Sequence, residues 1–419
     1  MFEDLIEYQV TETNSFEQEE NIVKHCDLYI LIHGLHGKQQ DFHFIAQKLK
    51  ELYNDDSNKD SEHAIIIDCA CNEGKTADGI ESLGVNVLKE VLKIIYERKV
   101  SSLLSNGKKL KLSIIGHSLG GLIGRYFIKL LYDLPNNEKS HDLLPEYSKH
   151  FVDDIFPHLV PCSFTTISTP HLGSRRPGGG NYFGSAYRIA AHTFLSILGK
   201  TGKELILNDG NSIEESLLYR MSLPDSDYVK VLKMFPYRTL IASCHLDSTV
   251  PFPSASIRSF NPYLNNGYGE ASMKIGGIGG DFLDSPEYVS LLSEFFTAKG
   301  EGETGLNERI ETLRKASWKG TEIEPFDGIS NDKHKSLCRD NYFEVEFEVK
   351  MLKNLQDIKW RRIDLDFTVS SFLQAREIHV VVVRKKMPII GSSEMDRCGE
   401  RCVNLVTLLS KFDSDHLLN

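Results

Sequence analysis

A serine at position 118 has a glycine two residues away on each side, Gly116 and Gly120. The motif lies between an apolar run at 112–115 and a helical pattern at 119–131. A serine hydroxyl becomes a nucleophile only when a base can reach its proton, and a sharp strand-to-helix turn exposes the hydroxyl to one. The turn crowds the neighbouring backbone, so small residues are needed beside it. The pattern therefore predicts a nucleophile elbow with Ser118 as the attacking group.

An acid must follow the serine in the chain if the elbow belongs to a Ser-Asp-His triad. Asp247 comes just past an apolar run at 237–242 and directly before a turn at 248–251. From a strand tip, an aspartate can hold an imidazole in the required tautomer and stabilise its charged form. We predict Asp247 as the acid. Asp281 and Asp284 are alternatives in a less regular stretch, and Asp247 is also open to interpretation as a turn-capping residue.

The base of such a triad is a histidine that follows the acid. Three histidines follow Asp247, namely His334, His379 and His416. His334 lies in a charged stretch and His416 near the last residues, so we predict His379 as the base. His379 also lies within an apolar run at 378–383 that is typical of a strand. The sequence leaves two interpretations open, a catalytic histidine and a structural one within that strand.

Two backbone N–H groups must stabilise the oxyanion that forms when the serine attacks. A tight glycine-containing loop at 33–37 follows an early apolar run, which is where such a loop is expected. We predict that the N–H groups of Leu35 and Leu119 form the oxyanion hole. His33 and His36 precede the serine in this loop, so we interpret them as loop-shaping groups and not as bases or metal ligands.

The elements that must position these residues are recognisable from their hydrophobic patterns. Continuous apolar runs separated by helical patterns indicate a mostly parallel sheet covered by helices on both faces, which is an α/β fold. The predicted strands of this kind lie at 28–32, 64–68, 112–115, 163–168 and 237–242. Further strands are predicted at 342–352, 360–367 and 378–383, and a closing helix at 400–412.

The chain is predicted to form one domain over residues 21–419, preceded by an acidic arm at 1–20. An irregular segment at about 172–236 is rich in aromatic residues and glycines. It is interpreted either as a helical cap over the site or as an excursion whose aromatic residues join the core. Residues at about 298–335 are charged and lack a clear period, which predicts an exposed insertion.

Composition excludes some classes of function. The net charge of −11 over 419 residues argues against nucleic acid as a partner, because phosphate binding needs clustered Lys and Arg. The eight cysteines have no zinc-site spacing, which predicts reduced thiols and no metal site. The first residues lack the pattern of a secretory signal, and no apolar run approaches the ~20 residues of a membrane span. We therefore expect a cytoplasmic protein, with peripheral contact to membranes or lipid droplets.

Beyond these residues, the chain resembles the eukaryotic lipase-like serine esterases of the α/β-hydrolase fold, which include lipases and phospholipases of lipid droplets. Besides the elbow and the 33–37 loop, the resemblance rests on blocks at 74–80, 168–173, 247–251 and 360–362. It implies that Ser118 is the nucleophile, that Asp247 is the acid, and that His171 supports a strand end.

The sequence departs from this family at one point. Family members carry an alanine-histidine pair after the tryptophan strand, whereas this chain has Ala375 and Arg376, with His379 three residues further on. Either His379 serves as the base from a shifted position, or the base is missing.

The resemblance, the elbow and the predicted cap together indicate a serine esterase or lipase that hydrolyses acyl esters of lipids. No metal or organic cofactor is expected for this chemistry, and the expected partner is the lipid ester. An acyltransferase that passes the acyl group from Ser118 to an alcohol is one alternative. A catalytically silent lipid-binding protein is another. The silent alternative predicts that His379 lies beyond hydrogen-bond reach of Ser118 and Asp247.

Overall fold

The computed structural model describes residues 25–54, 63–136, 144–174, 199–259, 261, 263, 268–280, 285–297, 345–385 and 393–417. Its strands are β1 (His25–Ile32), β2 (His63–Asp68), β3 (Lys109–His117), β4 (Leu159–Ile167), β5 (Tyr237–Ser243), β6 (Ser272–Gly280) and β7 (Arg361–Thr368). The α-helices of the first half are α1 (His43–Asn54), α2 (Ile80–Glu97), α3 (Leu119–Asp133) and α4 (Pro145–His150). Those that follow are α5 (Gly199–Leu205), α6 (Leu217–Ser222), α7 (Asp227–Met234), α8 (Phe252–Ser256), α9 (Pro286–Leu292), α10 (Glu346–Gln356), α11 (Phe372–Ala375), α12 (Ile378–Val381) and α13 (Ser393–His416).

The seven strands form one sheet in the order β2-β1-β3-β4-β5-β7-β6. All neighbouring strands run parallel except β6, which pairs antiparallel with β7 at one edge. The predicted mostly parallel sheet of an α/β-hydrolase fold is therefore confirmed. Because parallel strands end at the same edge, the segments that follow β1, β3, β5 and β7 meet there, and this is where such sheets bind ligands.

Both faces of the sheet are buried, which explains why its central strands read as continuous apolar runs. Along β1, Leu28, Ile30 and Ile32 belong to a hydrophobic cluster shared with α2 and α3. The intervening residues Tyr29 and Leu31 belong to a second cluster, shared with α1 and α13. Each fully buried apolar side chain of this size stabilises the fold by roughly 1.5–3 kcal/mol. The predicted helix layers on both faces are confirmed.

The block at 360–362 fastens β7 to its surroundings. The guanidinium of Arg361 donates a hydrogen bond to Asp413 Oδ1 at 2.7 Å, and both side chains are almost completely buried. The Arg362 Nε donates to the carbonyl of Ser256 at 3.0 Å. The Trp360 indole N–H donates to the carbonyl of Leu355 at 2.9 Å. These contacts connect β7 with α13, α8 and α10.

Two predicted strands are wrong. Residues 345–352 of the first belong largely to α10, and 342–344 lie outside the described residues. The buried side chains of α10 recur at helical spacing, namely Glu348, Met351, Leu352 and Leu355. The apolar residues just before them alternate as in a strand. The second, 378–383, forms α12 and a turn, because the place beside β7 is taken by β6. That strand is rich in glycine and lacks the apolar run that would have predicted it.

The predicted domain boundaries fall mostly on residues that the structure leaves undescribed. The acidic arm at 1–20 and the insertion at 298–335 lie outside the described residues. Of the predicted cap at 172–236, residues 172–174 and 199–236 are described, and the latter contain α5, α6 and α7. α7 packs against α3. That the segment is a cap stays a prediction. Within the described ranges, no helix is both long and apolar enough to cross a membrane.

Candidate active site

The elbow lies where β3 passes into α3, at the edge of the sheet where the parallel strands end. Ser118 stands between the two elements with a φ of 54° and a ψ of −127°, a conformation that costs free energy for any residue with a side chain. A Cβ atom at Gly116 would lie 2.6 Å from the backbone of Gly121, and one at Gly120 would overlap the carbonyl of Ile32. Glycine is therefore required at both predicted positions.

His379 lies between Ser118 and Asp247. Its Nε2 atom is 2.9 Å from Ser118 Oγ, and its Nδ1 atom is 2.8 Å from Asp247 Oδ2. With an ionised Asp247, the imidazole donates from Nδ1 and accepts the serine proton at Nε2. The structure thus brings together the three side chains singled out in the sequence, and the separation that the silent alternative predicted is not found.

The Asp247 carboxylate is buried, with a side chain that is 3% exposed. Its Oδ1 atom accepts hydrogen bonds from the backbone N–H groups of Thr249 and Val250, both at 2.9 Å. Burial alone would raise the pKa of this carboxyl. The charge and hydrogen bond of His379 and the two backbone N–H groups outweigh burial and hold its pKa below the ordinary value. Asp247 thus caps its own turn and contacts His379 at the same time. That it is the acid of a triad stays a prediction.

His379 reaches Ser118 from a helix and not from a strand. After β7 the chain forms α11 and then α12, and His379 is the second residue of α12. Arg376 is exposed and lies in the turn between these helices, three residues before His379. The departure from the family pattern is therefore accommodated by a short helical connection.

One contact of the elbow was missed by sequence reasoning. His117 Nε2 donates a hydrogen bond to the backbone carbonyl of His379 at 2.7 Å. Burial, with a smaller effect from the neighbouring His379, lowers the pKa of His117 to about 3, so this imidazole is neutral. The only signal in the sequence was a histidine directly before Ser118.

The predicted oxyanion loop lies against Ser118. A Cβ atom added to Gly34 would come within 2.6 Å of Ser118 Cβ, so glycine allows the loop to approach. The Gly34 carbonyl accepts hydrogen bonds from the N–H of Gly37 at 2.9 Å and from His33 Nδ1 at 3.0 Å. Leu119 is the first residue of α3, where backbone N–H groups have no acceptor within the helix and carry its positive dipole end.

The other histidines and aspartates considered from the sequence have different surroundings. His171 is completely buried, its Nε2 bonded to Thr166 Oγ1 at 3.0 Å and its ring beside Trp360, and burial lowers its pKa well below the ordinary value. It supports the end of β4, as expected. His416 ends α13 and donates to the carbonyl of Phe412. Three residues lie outside the described residues, Asp281, Asp284 and His334.

In the part of the chain that the structure describes, no group of three or more His, Cys, Asp or Glu side chains is arranged to hold a metal ion. The candidate site consists of a hydroxyl, an imidazole, a carboxylate and backbone N–H groups. This arrangement can activate a serine and stabilise an oxyanion.

Comparison with known proteins identifies a family and several relatives. A family model described as "Putative serine esterase (DUF676)" matches residues 23–258, a range that includes Ser118 and Asp247 and ends before His379. A "putative lipase" of Saccharomyces cerevisiae is 28% identical over 251 residues, which are 60% of this chain and 32% of that protein. A second from the same yeast, "Putative lipase ROG1", is 27% identical over 55% of this chain and 28% of that protein. A "putative lipase" of Schizosaccharomyces pombe is 27% identical over 56% of this chain and 26% of that protein.

The chain spans about a third or less of the length of these curated relatives. Two solved structures are also similar. The lin2722 gene product of Listeria innocua has a TM-score of 0.29 and 13% identity, over 55% of this chain and 77% of that one. Phospholipase PlaB of Legionella pneumophila, in complex with thio-NAD, has a TM-score of 0.29 and 14% identity, over 53% of this chain and 38% of that one.

Proposed function

Because the chain belongs to the family described as putative serine esterases, we propose that it hydrolyses acyl esters of lipids through an acyl-enzyme formed on Ser118. The observation that carries the proposal is the position of His379, whose two ring nitrogens lie 2.9 Å from Ser118 Oγ and 2.8 Å from Asp247 Oδ2. A general base must be within hydrogen-bond reach of the proton that it takes, and His379 meets this condition.

In the first step, Ser118 Oγ attacks the carbonyl carbon of the ester while His379 Nε2 takes the hydroxyl proton. The carbonyl oxygen becomes an oxyanion, which accepts hydrogen bonds from the N–H groups of Leu35 and Leu119. Asp247 stabilises the imidazolium that forms, since its carboxylate accepts the Nδ1 proton.

In the second step, the imidazolium gives its proton to the oxygen of the leaving alcohol, and the bond from the acyl carbon to that oxygen breaks. The acyl group remains as an ester on Ser118. A water molecule then attacks this ester with His379 again as the base, the fatty acid leaves, and Ser118 recovers its proton.

The proposed substrate class is a lipid ester. It is supported by the names of the yeast relatives, which are described as putative lipases, and by the predicted cap. Ser118 is only 6% exposed, so a substrate must enter a recessed site to reach it. Acylglycerols and phospholipids both carry ester carbonyls that fit this chemistry.

A fluorophosphonate probe tests the nucleophile. We expect labelling of the wild-type protein and none of Ser118→Ala. A matched control is Ser410→Ala, which removes a buried hydroxyl that donates to the carbonyl of Val406 within α13. Labelling of Ser118→Ala would place the nucleophile elsewhere, and a folded wild-type protein that resists the probe would contradict the proposal.

Product analysis tests the reaction and its substrate class. Acylglycerol and phospholipid substrates are incubated with wild-type protein and with Ser118→Ala, over a range of added alcohol. Free fatty acid that forms only with the wild type, in amounts independent of the alcohol, supports hydrolysis. Transfer of the acyl group to the alcohol in its place would support the acyltransferase alternative.

A further inference from the structure

The block at 74–80 forms the end of the connection from β2 to α2 and is bonded to the oxyanion loop. Within it, Thr76 is 4% exposed, and its Oγ1 atom accepts a hydrogen bond from the backbone N–H of His36 at 3.0 Å. His36 directly follows Leu35, one of the two proposed oxyanion donors. The threonine hydroxyl therefore contacts the peptide unit next to the donor residue.

Leu35 lies between two peptide units that are both held by hydrogen bonds. Before it, the carbonyl of Gly34 is bonded to the N–H of Gly37 and to His33. After it, the N–H of His36 is bonded to Thr76. A trans peptide unit is planar, with its C=O and N–H pointing in opposite directions, so each of these bonds orients a whole plane. With both planes held, the direction of the Leu35 N–H is set.

Thr76 is in turn held by α5, which begins the second described part of the predicted cap. The hydroxyl of Thr201 donates to the carbonyl of Thr76 at 2.8 Å and accepts from the N–H of Gly79 at 2.9 Å. The N–H of Thr201 donates to the carbonyl of Ala77 at 3.2 Å. In addition, Glu204 Oε2 accepts from the N–H of Ile80 at 2.7 Å. Four hydrogen bonds thus join α5 to residues 76–80.

Glycines occupy both sides of this junction, at positions 79 and 199. A Cβ atom at Gly199, which has a φ of 65°, would lie 2.7 Å from the carbonyl of Ala77. A Cβ atom at Gly79, which has a φ of 97°, would lie 2.6 Å from Lys200 Cδ. Both positions combine a positive φ with a close approach, so glycine is required on each side of the contact.

We infer that Thr76 is a positioning residue for the oxyanion hole, and that α5 acts on the reaction by supporting Thr76. The inference rests on the proposed function, because it concerns stabilisation of the oxyanion on Leu35. Donors that are already aimed at the developing charge stabilise a transition state without reorganisation. The hydrogen bond from the His36 N–H to Thr76 orients the peptide unit on one side of Leu35. α5 holds Thr76 in place without touching the substrate.

The test compares Thr76→Val, which keeps the shape and removes the hydroxyl, with Thr76→Ser, which keeps the hydroxyl. Hydrolysis of a soluble p-nitrophenyl ester gives kcat and KM. For Thr76→Val we expect kcat to fall roughly 10- to 100-fold with KM within about twofold, since loss of a whole oxyanion donor costs about 10²–10³ in kcat. For Thr76→Ser we expect at least part of the lost kcat to return. The rate of fluorophosphonate labelling should fall and recover in parallel.

The matched control is Thr407→Val, which removes a buried threonine hydroxyl that donates to the carbonyl of Val403 within α13. We expect its kcat to equal that of the wild type. Thr201→Val tests the contribution of α5, and its kcat should fall by a smaller factor than that of Thr76→Val, again with KM unchanged. If Thr76→Val fails to fold, Thr76→Ala, which also removes the hydroxyl, is measured in its place with the same expected loss of kcat.

A wild-type kcat in Thr76→Val, or a loss that appears only in KM, would overturn the inference. A wild-type kcat in Thr201→Val would overturn the part that concerns α5. These results are distinct from a failure of the proposed function, in which the wild-type protein itself would not react with the fluorophosphonate.

Discussion

The imidazole of His117 donates a hydrogen bond to the backbone carbonyl of His379 at 2.7 Å, and the two rings lie 4.9 Å apart. Ser118, the next residue in the chain, contacts the side chain of the same histidine through its hydroxyl. Two consecutive residues of the elbow therefore hold His379, one by its backbone and the other by its ring. The low pKa of His117 keeps the imidazole neutral throughout the range in which most proteins are stable.

This relationship predicts that replacing His117 weakens catalysis through the placement of His379. His117→Phe fills the space without an N–H donor and leaves a buried carbonyl unbonded, so we expect kcat on a soluble ester to fall roughly tenfold. His117→Gln keeps an amide donor and should lose less. The control is His158→Phe, which breaks a similar bond from a histidine to the carbonyl of Lys108. A wild-type kcat for His117→Phe would show that His379 is held well enough by its other contacts.

Asp247→Asn should nearly abolish turnover while the protein remains folded. The amide can still accept the N–H groups of Thr249 and Val250, but it no longer selects the imidazole tautomer that leaves Nε2 free to accept a proton. In the serine protease triad, such a change lowers kcat by about 10⁴, and we expect a loss of roughly 10³–10⁴ here. The kcat for hydrolysis of a soluble ester measures this loss.

The chain offers a matched control for this variant. Asp366 Oδ1 lies 3.1 Å from His245 Nε2, so Asp366→Asn alters a second pair of aspartate and histidine outside the proposed triad. Its kcat should stay close to that of the wild type. Equal losses in the two variants would mean that the effect of Asp247→Asn is a general one on the fold.

The carboxyl group of Glu204 predicts a stability that depends on pH. Burial raises its pKa to about 7, against the opposing effects of the Ile80 N–H and of Lys200. The folded state therefore binds this proton more tightly than the unfolded state, so ionisation reduces stability as pH rises from about 4.5 to 7. Glu204→Gln lacks this titration, and its Tm relative to the wild type should rise between pH 5 and pH 8.

Thermal unfolding at several pH values measures this difference. Glu215→Gln is the control, because Glu215 also accepts a backbone N–H, from Asn211, but at the surface. Its Tm relative to the wild type should change little over the same range. A pH-independent Tm difference for Glu204→Gln would mean that Glu204 does not titrate between these limits.

The buried ion pair of Arg361 and Asp413 predicts a large effect on stability. Asp413→Ala leaves a guanidinium in the interior without its carboxylate, which typically costs about 3–5 kcal/mol. Asp227→Ala removes the partner of Lys230 in an exposed pair of α7 and should cost at most about 1 kcal/mol. Urea denaturation of the two variants gives both values. Similar values for the two would mean that the buried pair is solvated or compensated.

Much of the fold could be predicted because the central strands are buried on both faces. The strands at 28–32, 112–115 and 237–242 consist largely of apolar residues, and all three are confirmed as parts of β1, β3 and β5. β6 was missed because its glycines bury little side-chain surface and its pairing depends on β7, which comes much later in the chain. The alternation before α10 suggested a strand, whereas packing of its later residues requires a helix.

The candidate site, too, could be predicted only in part from the sequence. The elbow and the oxyanion loop are local motifs, so their residues could be chosen from spacing alone. The position of His379 depends on a contact between residues separated by 261 positions, which no local pattern records. The roles of His117 and Thr76 are likewise visible only in the hydrogen bonds that they make across the fold.

The strand order has a consequence for the time at which the site can form during synthesis. β7 lies between β5 and β6, although both of these strands precede it in the chain. The ribosome therefore releases the elbow, the predicted oxyanion loop and Asp247 well before β7 and the helix that carries His379. A nascent chain that has not reached β7 cannot make the hydrogen bonds of His379 to Ser118 and Asp247. Ser118 is thus kept without its proposed base until nearly the whole sheet has been assembled.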